Sequence, residues 1–211
     1  MIPFKVKVCG LTRPQDAALA SELGADMIGL IFYRRSPRFV SLRRAARVRR
    51  VLPPTVRATG VFVNDEVERI ADRARGLKLD MVQLHGNYGI QEIGFLRRSG
   101  LLVVQAYAIG SPADWKAAAA SRADLVLVDN VAGDRYGGTG RRFDWRLKPT
   151  AKLPNLVLAG GLRADNLAEG VRRFRPLVVD VSSGVESSPG VKSARRMREF
   201  FRECDRLRYG S

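Results

Sequence analysis

The sequence predicts a (β/α)8 barrel, and three observations lead to that prediction. Short aliphatic segments alternate with segments of helical periodicity along the whole chain, as in parallel sheets that are covered by helices. The last two strand-like segments are followed by small residues around Gly160 and Gly184, where barrels of this class hold a phosphate. After the first strand, Gly10 is a single glycine, whereas a dinucleotide-binding fold would have a glycine-rich fingerprint. The missing fingerprint disfavours the runner-up, an open doubly wound sheet.

Eight strands are expected, because short runs of aliphatic and β-branched residues recur along the chain. Each run has about the length of a strand that is buried on both faces. The predicted strands are residues 5–9, 27–32, 57–63, 81–84, 101–106, 125–128, 156–159 and 178–181.

Helices are expected between these strands, where apolar residues recur at helical spacing. Thr12 is a plausible cap of the first helix, with Gly24 as its stop, and Asp165 or Asn166 can cap the helix between the last two strands. A glycine-rich loop is expected over residues 133–140. The predicted helices are residues 14–23, 42–52, 65–75, 90–98, 112–121, a short one near 143–147, 163–174 and 191–207. Together these elements fill one domain over residues 1–211.

The chain is strongly basic, with a formal net charge of +16 and mostly arginine among its 37 basic residues. No acidic residue occurs from Met27 to Asn64, a stretch that contains a dense run of arginines. Such a field attracts anions, either a phosphorylated substrate or a nucleic acid. Aromatic residues are not interleaved with these arginines, so a single-strand binding platform is not indicated. A solvated basic surface is the favoured interpretation.

Neither a membrane nor a disulfide framework is indicated by the sequence. No charged-then-apolar leader begins the chain, and no apolar run approaches the length of a membrane span. The two cysteines, Cys9 and Cys204, do not form a framework pattern. We therefore expect a cytoplasmic protein without a membrane partner.

Two residues at predicted strand ends are candidates for acid–base chemistry, because barrel enzymes carry their active sites at the carboxyl ends of the strands. Cys9 ends the first strand, where a thiol can serve as a small buried hydrophobe, a general base or a nucleophile. Positive surroundings would lower the pKa of this thiol. Asp129 ends the sixth strand, where its carboxylate could accept loop N–H groups or act as a general acid or base.

Other polar residues follow strands at the same rim. His85 and Gln83 end the fourth strand and Asp180 lies in the eighth, while Arg38 follows Pro37 in the loop after the second. A guanidinium in a stiff loop suits bidentate capture of a carboxylate, although it can equally be one more surface arginine. No cluster of histidine, cysteine or carboxylate residues has ligand spacing, so no metal site is expected.

Several segments taken together resemble one known family. They are KVCGLT at 7–12, SPR at 36–38, GVFVN at 60–64, QLHG at 83–86, GGTG at 137–140 with FDW at 143–145, LAGGL at 158–162 and DVSSGVE at 180–186. In this order and spacing they are similar to phosphoribosylanthranilate isomerase. Ser193 departs from the aspartate that is usual in the family, but serine caps a helix about as well.

The resemblance implies a single-domain barrel of tryptophan biosynthesis. The family converts N-(5'-phosphoribosyl)anthranilate to an open-chain aminodeoxyribulose phosphate, an Amadori rearrangement that uses no cofactor and no metal. By the same resemblance, Asp129 is the general acid that protonates the furanose ring oxygen, and Cys9 is the general base that removes the C2' proton. Arg38 holds the anthranilate carboxylate.

The binding residues are implied in the same way. The two glycine turns are expected to bind the phosphate. Three further residues are expected to line the pocket, with less defined roles. The implied phosphate residues are Gly160, Gly161, Ser183 and Gly184, and the pocket residues are Gln83, His85 and Asp180. The expected partner is a small phosphorylated substrate, without a specific nucleic acid, and the protein is a monomer or a homodimer. Two alternatives stay open: a basic nucleic-acid-binding barrel without activity, and another phosphosugar barrel enzyme.

Overall fold

Eight parallel strands close into a barrel in the computed structural model, which describes residues 2–130, 144–147, 149 and 153–210. The strands are hydrogen-bonded in chain order, and the eighth pairs with the first to complete the ring. They are β1 Lys5–Cys9, β2 Met27–Ile31, β3 Arg57–Val63, β4 Met81–His85, β5 Leu102–Ile109, β6 Leu125–Asn130, β7 Leu156–Leu158 and β8 Val178–Val181. The predicted (β/α)8 class is confirmed.

Helices cover the outside of this barrel, because crossovers between parallel strands usually run through a helix that packs on the sheet. The helices in the described part are α1 Pro14–Glu22, α2 Leu42–Arg50, α3 Val67–Leu77, α4 Ile90–Arg98, α5 Pro112–Ala119, α6 Ala164–Phe174 and α7 Ala194–Tyr209. None of them is long and apolar enough to cross a membrane.

The end of the chain differs most from expectation. Instead of passing directly into a helix from residue 191, the chain forms a small antiparallel hairpin of β9 Glu186–Ser188 and β10 Val191–Lys192, after a 3-10 turn at Ser183–Val185. Helix α7 begins only at Ala194, because Ser193 is its cap and accepts a hydrogen bond from the Arg196 N–H. Val191 is the one aliphatic residue from 186 to 192, so hydrophobic periodicity gave no signal for the two short strands.

Three smaller expectations concern a helix cap, a short helix and a loop. Arg13, not Thr12, stands at the cap position of α1, and the Thr12 hydroxyl instead donates to the Gly190 carbonyl. Residues 144–147 form a turn and not the short helix expected there, while Phe143 lies outside the described residues. The glycine-rich loop at 133–140 also lies outside them.

The interior of the barrel is apolar at one level and polar at the next. Met81 and Val178 belong to a cluster of apolar side chains inside the ring. Two residues further along the same strands, Gln83 and Asp180 are buried polar residues, and Lys7 of β1 is buried beside them. Because alternate strand residues face the same side, this polar layer lies towards the carboxyl ends of the strands. The predicted site residues lie at this same end of the barrel, where the strands finish.

Candidate active site

A buried lysine forms the floor of the site. The Lys7 ammonium donates to Asp180 Oδ2 at 2.7 Å and to Gln83 Oε1 at 2.8 Å, and all three residues are buried. Burial lowers the pKa of Lys7, but Asp180 and Cys9 together exceed that effect, so the pKa is raised and the side chain stays protonated. Sequence reasoning did not select Lys7 as a site residue. The available signal was a lysine between two valines in a strand that is buried on both faces.

The contact between Gln83 and His85 fixes the state of the histidine. Lys7 can only donate, so the Gln83 oxygen faces it and the Gln83 amide nitrogen faces His85 Nε2, at 2.7 Å. The His85 Nε2 must then accept, which leaves the ring proton on Nδ1. Burial and the nearby Lys7 charge lower the pKa of His85 to about 4, so the imidazole is neutral at physiological pH. His85 is therefore a neutral lining group of the mouth.

Cys9 ends β1 at this rim and is only 6% exposed. Its sulfur lies against Gly29 of β2, since a Cβ added there would come within 2.6 Å of Sγ. Burial raises the pKa of the Cys9 thiol above its ordinary value, although Lys7 and Lys192 pull it down. The expected positive surroundings are present, but the expected net lowering of the pKa is wrong because desolvation exceeds their effect.

Asp129 lies across the barrel, near the end of β6. Its Oδ1 accepts a hydrogen bond from the Asn130 N–H at 2.6 Å. Burial raises the pKa of this carboxyl to about 6, against the opposing effect of that hydrogen bond. A carboxyl with such a pKa keeps part of its proton near neutrality, which a general acid requires.

The two glycine turns after β7 and β8 face one pocket of about 520 Å³. Gly160 and Gly161 have φ of 83° and 62°, in the left-handed region that favours glycine. A Cβ added at Gly184 would collide with the carbonyl oxygen of Leu162, so the two turns touch through bare backbone. The pocket is lined by Gly161, Arg163, Ala164, Asp165, Ser183, Gly184, Arg196 and Glu199.

Helix α6 begins at this pocket and is capped by Asn166. The Asn166 Oδ1 accepts from the Arg163 N–H at 2.9 Å, and its amide nitrogen donates to the Gly161 carbonyl at 3.0 Å. Asp165 instead pairs with Arg163 at 3.0 Å, so of the two expected caps Asn166 fills the role. The N-terminus of an 11-residue helix favours an anion there.

Arg38 is buried, and its guanidinium is held by a carboxylate from the hairpin. Its Nε and Nη2 donate to both oxygens of Glu186 at distances from 2.7 to 3.1 Å. The interpretation of Arg38 as one more surface arginine is therefore wrong. Glu186 stood inside one of the resembling segments, but its partner lies 148 positions away and nothing in the local pattern identified it.

The ring order of the strands brings these groups together. Starting at Asp129 on β6, the rim continues with the two turns after β7 and β8, then Cys9 on β1 and the Arg38 loop after β2. The two glycine turns after β7 and β8 thus lie between the candidate acid and the candidate base. Among the residues that the structure describes, no group of three histidine, cysteine or carboxylate side chains could hold a metal ion.

Comparison with known proteins shows the family to which the chain belongs. The model of the family described as N-(5'phosphoribosyl)anthranilate (PRA) isomerase matches residues 6–203. The chain belongs to this isomerase family. A relative named N-(5'-phosphoribosyl)anthranilate isomerase from Trichlorobacter lovleyi is 43% identical over 203 residues, which are 95% of this chain and 98% of the relative. One of the same name from Pseudomonas aeruginosa is 41% identical over 200 residues, covering 95% and 94%.

Solved structures of the family agree with the fold. The phosphoribosyl anthranilate isomerase of Thermotoga maritima superposes with a TM-score of 0.89 at 38% identity, covering 96% of this chain and 98% of that one. The enzyme of Thermus thermophilus gives a TM-score of 0.88 at 32% identity, covering 97% and 100%. The expectation of an isomerase of tryptophan biosynthesis is confirmed, and neither the inactive nucleic-acid-binding barrel nor another phosphosugar enzyme is favoured.

Proposed function

We propose that the residues of this rim carry out the Amadori rearrangement of N-(5'-phosphoribosyl)anthranilate to 1-(2-carboxyphenylamino)-1-deoxyribulose 5-phosphate. The observation that carries the proposal is the rim order, in which two anion-binding turns lie between Asp129 on one side and Cys9 on the other. A small sugar anchored by its phosphate between them meets an acid and a base from opposite flanks. The reaction needs both groups and no external oxidant or reductant, because C2' is oxidised to the ketone while C1' is reduced.

Asp129 is the general acid of this proposal. It donates its proton to the furanose ring oxygen as the bond from that oxygen to C1' breaks, and the anilino nitrogen supplies the electron pair that forms a Schiff base. The assignment is supported by the pKa of about 6, which burial confers on the carboxyl. An aspartate of ordinary pKa would be almost fully ionised near neutrality and a poor donor.

Cys9 is the general base. Its thiolate takes the proton from C2', the electron pair moves towards the Schiff-base nitrogen, and the resulting enolamine tautomerises to the ketone. The proposal is supported by the cations that face the sulfur, since Lys7 and Lys192 both favour the thiolate over the thiol. Burial shields the thiolate from water, where its interaction with the two ammonium groups would be weaker.

Binding falls to groups on three sides of the mouth. Backbone N–H groups of the Gly161 and Gly184 turns, with the start of α6, hold the phosphate. Asp180 Oδ1 is buried and has no hydrogen-bond partner among the described residues, so it can accept from a sugar hydroxyl. Gln83 and His85 line the mouth. Arg38 binds the anthranilate carboxylate, and the crystal structure of a relative in complex with reduced 1-(o-carboxyphenylamino)-1-deoxyribulose 5-phosphate is consistent with a ligand of this shape.

The proposal also covers the cellular location, the domain organisation and the oligomeric state of the enzyme. We expect it to act in the cytoplasm as one domain over residues 1–211, without a cofactor or metal. It exists as a monomer or a homodimer, and both monomeric and dimeric forms are known for the Thermotoga maritima relative.

The test is the loss of phosphoribosylanthranilate fluorescence when purified protein is added. Turnover is expected from the wild type, and its absence in folded protein would defeat the proposal. Arg38→Ala should lower kcat/KM by about ten- to a hundredfold, because a charge-assisted hydrogen bond contributes roughly 1.5–3 kcal/mol. Arg34→Ala is the matched control, since Arg34 is an exposed arginine of the same loop. Equal losses in the two variants would assign the effect to general basic charge.

A further inference from the structure

The hairpin of β9 and β10 carries a buried charge cluster with Arg38, and its central residue, Glu186, has no part in the proposed reaction. Glu186 accepts from the Arg38 guanidinium and also from Lys192 Nζ, at 2.8 Å. All three residues are buried. Burial alone would raise the pKa of Glu186, but Arg38 and Lys192 hold it below its usual value, so the carboxylate is ionised.

Lys192 links this cluster to the catalytic strand. Its Nζ donates to the Cys9 carbonyl oxygen at 2.6 Å and to the Ser182 carbonyl oxygen at 3.1 Å. One ammonium group therefore joins the end of β1, the end of β8 and the carboxylate that holds Arg38. The base and the carboxylate-binding arginine are connected through only two side chains.

Hydrogen bonds from the α1 side and from α7 hold the hairpin in place. From the α1 side, Thr12 Oγ1 donates to the Gly190 carbonyl at 2.5 Å, and Asp16 Oδ2 accepts from the Lys192 N–H at 3.1 Å. From α7, Arg196 donates to the Glu186 carbonyl oxygen. A hairpin held in this way can fix the positions of its side chains more closely than a free loop can.

We infer that Glu186 and Lys192 are positioning residues, which set the Arg38 guanidinium and the Cys9 strand end at a fixed separation matched to the substrate. This inference rests on the proposed function. Two parallel contacts to Glu186 fix the plane of the guanidinium, and a substrate carboxylate then engages it on an edge other than the one that Glu186 holds. Lys192 holds the backbone of Cys9, so the thiolate meets C2' when the carboxylate is bound.

A purely charge-balancing role makes a different prediction. In that case any anion at position 186 would suffice, because its only task would be to neutralise Arg38 and Lys192. Glu186→Asp keeps the charge but retracts the carboxylate by about one C–C bond, roughly 1.5 Å. Glu186→Gln keeps the length but removes the charge. The pair of variants separates geometry from charge.

The experiment measures binding of the reduced product analogue and of the same compound without its ring carboxylate. The ratio of the two dissociation constants reports recognition of the carboxylate alone. The wild type should favour the carboxylated ligand by about ten- to a hundredfold, and Arg38→Ala should abolish the preference. If Glu186 positions Arg38, Glu186→Asp and Glu186→Gln should both cut the preference about tenfold, because a shift of about 1 Å costs this much or more. The carboxylate-free ligand should bind all variants within about twofold.

Lys192→Met tests the second link. Glu186 and Arg38 remain a neutral pair, so the binding preference should persist while kcat falls about tenfold or more. The alkaline limb of the pH profile should also move to higher pH, because one cation that favours the thiolate is gone. Arg75→Met is the matched control, since it removes a cation of the exposed Arg75–Asp72 pair on α3 and should change nothing.

The possible outcomes are distinct. A wild-type preference in Glu186→Asp, or tighter carboxylate binding in Glu186→Gln, would overturn the positioning role and leave only charge balance. Unchanged kcat in folded Lys192→Met would overturn the link to Cys9. Melting temperatures identify any variant that fails to fold, and Glu186→Asp is the mildest change. Failure of the proposed function would look different: the wild type would lack turnover and bind neither ligand.

Discussion

The two sides of the barrel mouth both bury their proposed proton-transfer groups, but they place different numbers of cations beside them. On the β1 side, Cys9 is faced by Lys7 and Lys192, which work against burial and favour the anion. On the β6 side, Asp129 follows a run of aliphatic residues, and burial prevails to give it a pKa of about 6. The difference teaches that two cations offset part of the cost of an anion at the proposed base, whereas the proposed acid has a raised pKa that keeps part of its proton near neutrality. The predictions below test the two sides by substitutions at single residues and by the pH dependence of the rate.

The largest effect is expected from removing either group. Cys9→Ser leaves a hydroxyl that scarcely ionises, and Asp129→Asn cannot donate an acidic proton. Each should lower kcat by about 10²–10⁴ or more, the usual contribution of a positioned acid or base, with little change in KM. Steady-state kinetics on the folded variants check this. If both residues were only structural, turnover would stay near normal and the folded fraction would fall instead.

Removing the cation of the β1 side should have the next largest effect. Lys7→Met deprives Cys9 of a cation that favours the thiolate and leaves Asp180 without its ion-pair partner. We expect kcat to fall by about ten- to a hundredfold and the alkaline limb of the pH profile to move upwards, because an opposite charge shifts a pKa by about 1–3 units. Lys5→Met is the control, since Lys5 lies on the same strand but is exposed. Equal effects in both variants would contradict a local role of Lys7.

The pH profile tests both sides together. The proposed mechanism needs thiolate at Cys9, whose pKa is above its ordinary value, and protonated carboxyl at Asp129, whose pKa is about 6. The active form is therefore a minor tautomer of the singly protonated pair. A plot of kcat/KM against pH should rise through about 6, stay level, and fall only in the alkaline range where Cys9 has also ionised.

Asp129→Asn provides the matched control for this profile. Its residual activity should lack the limb near pH 6 and rise about tenfold per pH unit across neutrality, because only thiolate formation then limits the rate. A limb near pH 6 that survived in this variant would assign that ionisation to another group.

The smallest effect concerns stability on the β6 side. The pKa of Asp129 is raised from 3.8 in the unfolded chain to about 6 in the fold, so the folded state binds this proton more tightly. Above about pH 6 the ionised carboxylate therefore costs stability, and below pH 4 it costs none. Asp129→Asn should raise the free energy of unfolding by about 1–3 kcal/mol at pH 8 and change it little at pH 4. Denaturant titrations at the two pH values measure this difference, and an equal change at both would exclude the carboxyl as its cause.

The sequence predicted the backbone of the molecule better than the partnerships inside it. Strand and helix positions follow from local periodicity, and the bounds of β1, β3, β8 and α4 were predicted to the residue. The position of Asp129 after an aliphatic strand also made a raised pKa reasonable. Segment 186–192 was missed as a hairpin, because Val191 is its one aliphatic residue and leaves no alternation that would indicate a strand.

The ion pairs of the site could not be predicted, because their members are remote in sequence. Lys7 and Asp180 are 173 positions apart, and Arg38 and Glu186 are 148 apart. Only closure of the ring brings such residues together. The balance between burial and charge at Cys9 depends on these same contacts, which is why the direction of its pKa shift was predicted wrongly.

Ring closure between β1 and β8 also has a consequence for how the protein becomes active during its synthesis. The proposed base lies on the first strand of the barrel, while both proposed phosphate turns, the hairpin and Lys192 come after the seventh strand. A nascent chain can form many helices and neighbouring strand pairs early, since those contacts are local. It cannot bind and convert substrate until the final strand has docked against the first. Turnover therefore reports completion of the barrel, whereas secondary structure reports only its parts.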